Sequence, residues 1–339
     1  MSLVNESPLR ELRTFARMKV SIIIPTYNSA SYLDRALASA IDQLKAHVEI
    51  IIVDNNSVDE TPAVMKRLRA AYPDLVRLAF EPVQGSAAAR NHGVRIAEGE
   101  WIQFLDSDDI LLPGKLTRQL ALAGPETDWV IGAFRQRDLS GKELVSDVRE
   151  RDPWKGLVHN GGVGHTNSNL IRRIKYLEVG GQNEALPNGV DTDLYFRLLC
   201  AGARVVYDDV PGSIHIDREG YRLSTLKSKV SRLRSVELKG RVNAYLEEAQ
   251  PAYFSEHGSF FRAALLHAIR ILATENLGDA TEAMKVHFPN GVSERELASG
   301  IVPAFARYYY LFGFRNVEAL RIICARLLPR ELKRQIKGI

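Results

Sequence analysis

The chain has 339 residues, 45% hydrophobic and 25% charged, the balance of a soluble globular protein with length for one large domain and a smaller one. Its net charge of +4 makes no case for nucleic acid as a partner. Two cysteines, Cys200 and Cys324, support no disulfide framework and read as buried structural thiols in a reducing, cytoplasmic setting.

Residues 1–17 are polar and mixed in charge and read as an N-terminal extension. Val20–Ile24 is a β-branched run closed by Pro25, the pattern of a buried strand. Ser31 can cap a helix reaching about Lys45, with Leu33, Leu37, Ile41 and Leu44 on one face. Val48–Val53 is a second strand, followed by Asp54-Asn55-Asn56-Ser57. A helix is expected over Asp59–Tyr72, a third strand over Leu75–Phe80, and a helix over Gly85–Ala97. Glu100–Leu105 makes a fourth strand running into Asp106-Ser107-Asp108-Asp109. Strands alternating with helices mean βαβ units and a largely parallel sheet. Right-handed crossovers then set Pro25, Asp54 and Asp106 along one edge, where open α/β sheets bind ligands.

Beyond Pro113 the rhythm loosens. Trp129–Arg135 and Glu143–Val148 read as strands joined at Ser140-Gly141, and Gly161-Gly162-Val163-Gly164 as a flexible loop. Asp191–Ala201 is a helix stopped by Gly202, and Val205–Tyr207 a further strand. From about Leu226 only helical patterning remains, over Leu226–Glu248, Ser259–Glu275, Asp279–His287, Ser293–Phe312 and Asn316–Ile336. The expected organisation is therefore an α/β domain over 18–225 and a helical C-terminal region over 226–339.

Two acidic clusters carry the chemistry. Three carboxylates packed into Asp106-Ser107-Asp108-Asp109 repel one another, and a divalent cation with oxygen ligands resolves that repulsion while holding a diphosphate. The plainer alternative is that Asp108 or Asp109 caps a helix opening at Pro113. Asp191 and Asp193 begin the next acidic element. A helix dipole stabilises carboxylates there without any chemistry, yet with the first cluster binding metal and phosphate, this one can supply a general base.

Read together, Ile22-Ile23-Ile24-Pro25-Thr26-Tyr27-Asn28, Ile51-Ile52-Val53-Asp54-Asn55-Asn56-Ser57 with Asp59, Ala89-Arg90-Asn91-His92-Gly93 and Phe104-Leu105-Asp106-Ser107-Asp108-Asp109 resemble the family-two GT-A glycosyltransferases. Gly180-Gly181 followed by Asp191-Thr192-Asp193-Leu194 and Arg197-Leu198 is similar to that family's acceptor-side segment, so the resemblance covers about residues 18–216. It implies a Rossmann-like nucleotide-sugar-binding fold and an inverting, single-sugar transfer from a nucleoside-diphosphate sugar, in cell-surface polysaccharide or glycolipid synthesis. It also implies roles. Pro25 and Tyr27 line the donor base pocket, Asp54 and Asn55 read the base, and Arg90 lies near the nucleotide. Asp106 faces the ribose, Asp108 holds the cation (Mn²⁺ or Mg²⁺), and Asp191 is the catalytic base. His215 matches a further metal ligand of some members, although a lone histidine after a strand is more often structural. The family more often has Asp where this chain has Asn55; the expected nucleotide is UDP or dTDP.

In 315–339, Leu320, Ile323, Cys324, Leu327 and Leu328 form an apolar stripe flanked by Arg321, Arg326, Arg330, Lys333, Arg334 and Lys337. Such a helix packs its stripe on the catalytic domain or a second subunit, the preferred expectation, or lies on an anionic membrane where lipid-linked acceptors reside. No apolar run reaches the roughly 20 residues needed to span a bilayer, and the N-terminus lacks a signal-peptide core. A cytoplasmic location, with peripheral contact at the inner membrane face as the variant, follows. The acceptor is expected to be a saccharide or lipid-linked sugar. Competing readings are a nucleotidyltransferase, opposed by Tyr27-Asn28-Ser29-Ala30 where a Gly-rich basic loop is needed, and a glycosyltransferase-like binding domain without catalysis, opposed by Asp106, Asp108 and Asp191.

Overall fold

The computed structural model describes residues 20–43, 48–146, 150–159, 162–217, 229–297 and 304–327. The chain divides into two compact units, Met1–Gly220 and Tyr221–Ile339. The first opens with β1 (Val20–Thr26), α1 (Leu33–Ile41), β2 (Val48–Asp54), α2 (Thr61–Ala71), β3 (Val76–Phe80), α3 (Ser86–Ile96) and β4 (Trp101–Phe104). There follow β5 (Ile110–Leu111), α4 (Lys115–Leu122), β6 (Trp129–Gly132), β7 (Phe134–Arg137), β8 (Glu143–Ser146), α5 (Pro153–Val158), β9 (Leu170–Arg172), α6 (Arg173–Glu178), α7 (Val190–Cys200), β10 (Val205–Asp208) and β11 (Ser213–Ile216).

A seven-stranded sheet runs in the order β10-β6-β9-β4-β1-β2-β3, beside a four-stranded sheet of order β5-β11-β7-β8. In the large sheet β3, β2, β1 and β4 are mutually parallel, and only β9 runs against its neighbours β4 and β6. Every residue of β1 and β2 is buried, which is why both read as unbroken apolar runs rather than alternating ones. Ile22, Ile24, Ile50 and Ile52 pack with Leu33, Leu37 and Met65 of the flanking helices.

Several boundaries differ from the sequence reading, each for a local reason. Pro25 lies inside β1 and does not end it. Leu105 N–H donates to Ile23 O at 3.0 Å, so Ile23 and, two residues on, Pro25 turn their backbone towards β4, whose pairing stops at Phe104. The missing proline N–H therefore costs no ladder bond. Ser31 does not cap α1, whose N-terminal residue Tyr32 makes no side-chain capping bond, and Lys45 lies outside the described residues. Neither Asp108 nor Asp109 caps the next helix: α4 starts at Lys115 behind Gly114, whose φ is 75°. The expected strand Trp129–Arg135 splits at Ala133 into β6 of the large sheet and β7 of the small one. Cys200 and Cys324 are half-buried and form no disulfide among the described residues.

The second unit comprises α8 (Lys229–Ala249), α9 (Pro251–Ala273), α10 (Leu277–His287) and α11 (Glu294–Leu297), then a 3-10 turn (Ala304–Tyr308), α12 (Tyr309–Phe312) and α13 (Phe314–Leu327). The single helix expected over Ser293–Phe312 is thus broken, and Gly313 at φ 73° separates α12 from α13. Helix α13 packs with Phe314, Val317 and Ile322 on a core containing Leu265, Ile269, Leu272 and Met284. Its fully buried Glu318 accepts from Arg270 Nε at 3.1 Å and Arg321 Nε at 2.6 Å. Leu320 and Ile323 lie on the other side, 63% and 52% exposed. Of the expected stripe, these two side chains face out of the unit, Cys324 is half-buried, and Leu328 with the lysines of the tail falls outside the described residues. No helix among the described residues is long and apolar enough to cross a membrane.

Candidate active site

The carboxyl ends of β1, β2 and β4 form one edge, as parallel pairing requires: Thr26 lies opposite Asp54, and Ile23 opposite Phe104. Pro25 is buried at this edge while Tyr27, the first residue past β1, is 50% exposed. Asn28 and Asn56 hold left-handed backbones at φ 48° and 66°, a conformation asparagine tolerates. Asp54 is buried, and its Oδ1 accepts from Ser57 N at 3.2 Å. Asn55 is occupied elsewhere. Its Nδ2 donates to Glu81 O at 2.9 Å and Val83 O at 2.7 Å, while its Oδ1 accepts from Gly85 N at 2.7 Å. Both amide hydrogens and the carbonyl thus tie the β3–α3 loop to β2.

Arg90, on the buried face of α3, joins the two acidic clusters. Its Nη2 donates to Asp106 Oδ1 at 2.5 Å, and its Nη1 lies 3.9 Å from Asp191 Oδ1. Asp191 sits in the first turn of α7, behind Gly189 at φ 69°. Gln182 Nε2 donates to its Oδ1 at 2.5 Å and the Thr166 hydroxyl to its Oδ2 at 2.6 Å. Asp193 is directed elsewhere, buried and paired with Arg197 Nε at 2.9 Å. Burial alone would raise the Asp106 carboxyl, but the Arg90 guanidinium, helped by His165 and His215, holds it below the usual carboxylate range. Burial likewise works against a charged Arg90, and Asp106 and Asp191 more than reverse it, keeping the guanidinium protonated.

The turn after β4 is fixed from the loop 163–169. Asn167 Oδ1 accepts from Asp106 N at 3.0 Å, and Asn167 Nδ2 donates to Asp109 Oδ2. Asp109 is fully buried. Its Oδ1 accepts from Ile216 N at 2.8 Å and its Oδ2 pairs with His215 Nδ1 at 2.9 Å. Strand β11 thereby brings His215 beside the acidic turn. Asp108 is half-buried, its carbonyl accepting from Arg35 Nη2 at 2.7 Å. The donor set suits a divalent cation. One ligand atom each from Asp109, His165 and His215 lies within 4.8 Å of the other two. The buried Nδ1 of His165 has no hydrogen-bond partner among the described residues. A carboxylate on Nδ1 of His215 is also how metal-binding imidazoles are oriented.

With this geometry in place, the relationships of the chain become informative. Residues 21–176 match the family model described as glycosyl transferase family 2. The chain carries a family 2 glycosyltransferase domain. Among curated relatives, an uncharacterized glycosyltransferase of Rickettsia conorii is 32% identical over 195 residues, 53% of this chain and 31% of that protein. The succinoglycan biosynthesis protein ExoU of Rhizobium meliloti is 33% identical over 202 residues, 55% of this chain and 58% of its own length. The chain thus spans about a third to somewhat over half the length of these relatives. Solved structures share the fold: S. aureus TarS in complex with UDP-GlcNAc has a TM-score of 0.58 at 20% identity, covering 90% of this chain and 91% of that one. The mannosyltransferase PcManGT of Pyrobaculum calidifontis, with GDP-Man and Mn²⁺, has a TM-score of 0.54 at 20% identity, covering 91% and 88%.

The sequence motifs supplied Arg90, Asp106 and Asp109, inside the matched residues 21–176, and Asp191 and His215 beyond them, to one connected cluster, but four of its members carry no motif. Thr166, Asn167 and His165 come from a polar run in which Thr166-Asn167-Ser168-Asn169 are all buried, and Gln182 from the loop after α6. Glycines were the available signal. Gly132 lets β6 approach that run so closely that a Cβ would lie 2.3 Å from Ser168 O. Gly181, at φ 68°, would place a Cβ 2.6 Å from Asn91 Oδ1, so only glycine brings Gln182 to Asp191.

Proposed function

We propose that the protein transfers a single sugar from a nucleoside-diphosphate sugar, UDP or dTDP preferred, to a hydroxyl acceptor with inversion. The observation that carries this is the Arg90 knot. One buried guanidinium binds Asp106 and faces Asp191 of the α7 helix, so both carboxylates lie beside one positive charge near the carboxyl edge of the sheet, where open α/β sheets bind ligands. Tyr27 stacks on the base, Asp54 hydrogen-bonds its edge, and Asp106 faces the ribose. Asn55 supports the loop and is not the base reader, since its amide is spent on backbone groups.

Asp191 accepts the acceptor proton as the oxygen–carbon bond forms at the anomeric centre and the bond to the diphosphate breaks. Gln182 and Thr166 each hold one of its oxygens, which fixes the carboxylate for that transfer. A single base and a single displacement invert the centre. Asp108 and His215 would hold a divalent cation, Mn²⁺ or Mg²⁺, with Asp109 orienting His215, and the cation would neutralise charge on the departing diphosphate. Relatives named for succinoglycan biosynthesis support a polysaccharide or lipid-linked saccharide acceptor. Peripheral contact with an anionic membrane is supported by exposed Tyr310, Leu311, Phe312, Leu320 and Ile323 in a unit with exposed Arg307 and Arg315.

Calorimetry with UDP, dTDP and GDP, run with Mn²⁺ and again with EDTA, tests the assignment. UDP or dTDP should bind most tightly, chelation should abolish donor turnover, and Asp108→Asn should weaken nucleotide binding with little loss of stability. Tighter binding of GDP would overturn the nucleotide assignment. Full turnover in EDTA would overturn the cation.

A further inference from the structure

His165 has no place in the motifs, yet the fold holds it firmly at the acidic turn. Its N–H donates to Ser168 Oγ at 2.8 Å, and its carbonyl accepts from Ser168 N at 2.9 Å. The ring lies 4.5 Å from that of His215 and 5.5 Å from that of Phe134, centroid to centroid. Packing of this kind asks only for an aromatic ring. Nδ1 is nevertheless buried without a partner among the described residues, a loss that phenylalanine would avoid. The neighbouring carboxylate does not answer it: both Asp109 oxygens already accept, from Ile216, Asn167 and His215.

We propose that His165 is a further ligand of the cation held at His215, making the site rich in nitrogen. The inference rests on reading Asp108 and His215 as a cation site. Two imidazoles suit first-row transition ions, whereas Mg²⁺ prefers oxygen and keeps its water. The site therefore selects a transition ion over Mg²⁺, and His165 is the residue that sets the preference.

The full chain, stripped by chelation, is titrated with CoCl₂ and separately with MgCl₂ by calorimetry, and the visible absorption of bound Co²⁺ is recorded. Wild type should bind Co²⁺ more tightly than Mg²⁺. His165→Phe keeps the ring and should weaken Co²⁺ by at least about tenfold, alter its spectrum and leave Mg²⁺ affinity little changed. His165→Gln gives a second reading should the phenylalanine variant fold poorly. A folded variant with wild-type Co²⁺ affinity and spectrum overturns the proposal. If His215→Phe loses Co²⁺ while both His165 variants keep it, the cation site stands and His165 is only packing. Wild type that binds neither ion removes the cation reading and this inference with it.

Discussion

Replacing Arg90 by methionine keeps the aliphatic bulk and removes the one charge shared by Asp106 and Asp191. The Arg90 side chain is 7% exposed and Asp106 24%, so the ion pair is desolvated on one side and partly wet on the other. Breaking a buried pair by deleting one partner costs about 3–5 kcal/mol, and the exposure of Asp106 argues for the lower end, about 3 kcal/mol. For a unit of this size that is a fall in melting temperature of roughly 6–12 °C. The assay is selective, because all three tryptophans, Trp101, Trp129 and Trp154, lie in the first unit and their fluorescence reports its unfolding alone. The sign with pH follows from Asp106, whose carboxyl is held below its ordinary value. A depressed carboxyl contributes its full stabilisation above the unfolded value of about 3.9 and loses it as the pH falls through the lower folded value. The stability gap between wild type and Arg90→Met should therefore be widest near neutrality and close in acid. Donor turnover should fall as well, since Asp191 loses the cation 3.9 Å away. A variant that melts with wild type at pH 7, or a gap that widens in acid, would refute the reasoning.

Asp191→Asn should cut transfer by about 10² to 10⁴ while leaving nucleoside-diphosphate binding nearly intact, as measured by steady-state kinetics and calorimetry. Asp193→Asn should instead lower the melting temperature, because it breaks the buried pair with Arg197, and leave the turnover of folded enzyme largely unchanged. A dead Asp193→Asn beside an active Asp191→Asn would show the base to be the wrong carboxylate. Asn55→Ala strands the carbonyls of Glu81 and Val83 and the N–H of Gly85, and should cost about 2–4 kcal/mol in urea unfolding followed by tryptophan fluorescence. The nucleotide preference of that variant should stay as in wild type; a switch in preference without loss of stability would return Asn55 to the base pocket.

The sequence by itself determined the layered α/β plan and the edge at which its acidic and amide residues gather. Ile22-Ile23-Ile24 and Ile50-Ile51-Ile52 can be satisfied only in strands covered on both faces, and acidic or amide residues directly after such runs fall on the carboxyl edge of a parallel sheet. It also placed Asp191 in the first turn of a helix, from the spacing of Leu194, Leu198 and Leu199 and the stop at Gly202. Tertiary structure decided what those residues touch. Asn167 reaches Asp109 across 58 positions, Arg90 reaches Gln182 across 92, and His215 reaches Asp109 across 106, separations at which no periodicity carries information. The buried polar run after Gly164 looks like a surface loop because burial is inferred from apolarity, and these side chains are buried by hydrogen-bonding one another and the strand ends. The face that α13 buries within its own unit is hidden for the same reason. Hydrophobic spacing marks Leu320 and Ile323 as a packing stripe, but the pairing of Glu318 with Arg270 and Arg321 draws a different face into the unit's core, and a buried ion pair leaves no apolar signature to read.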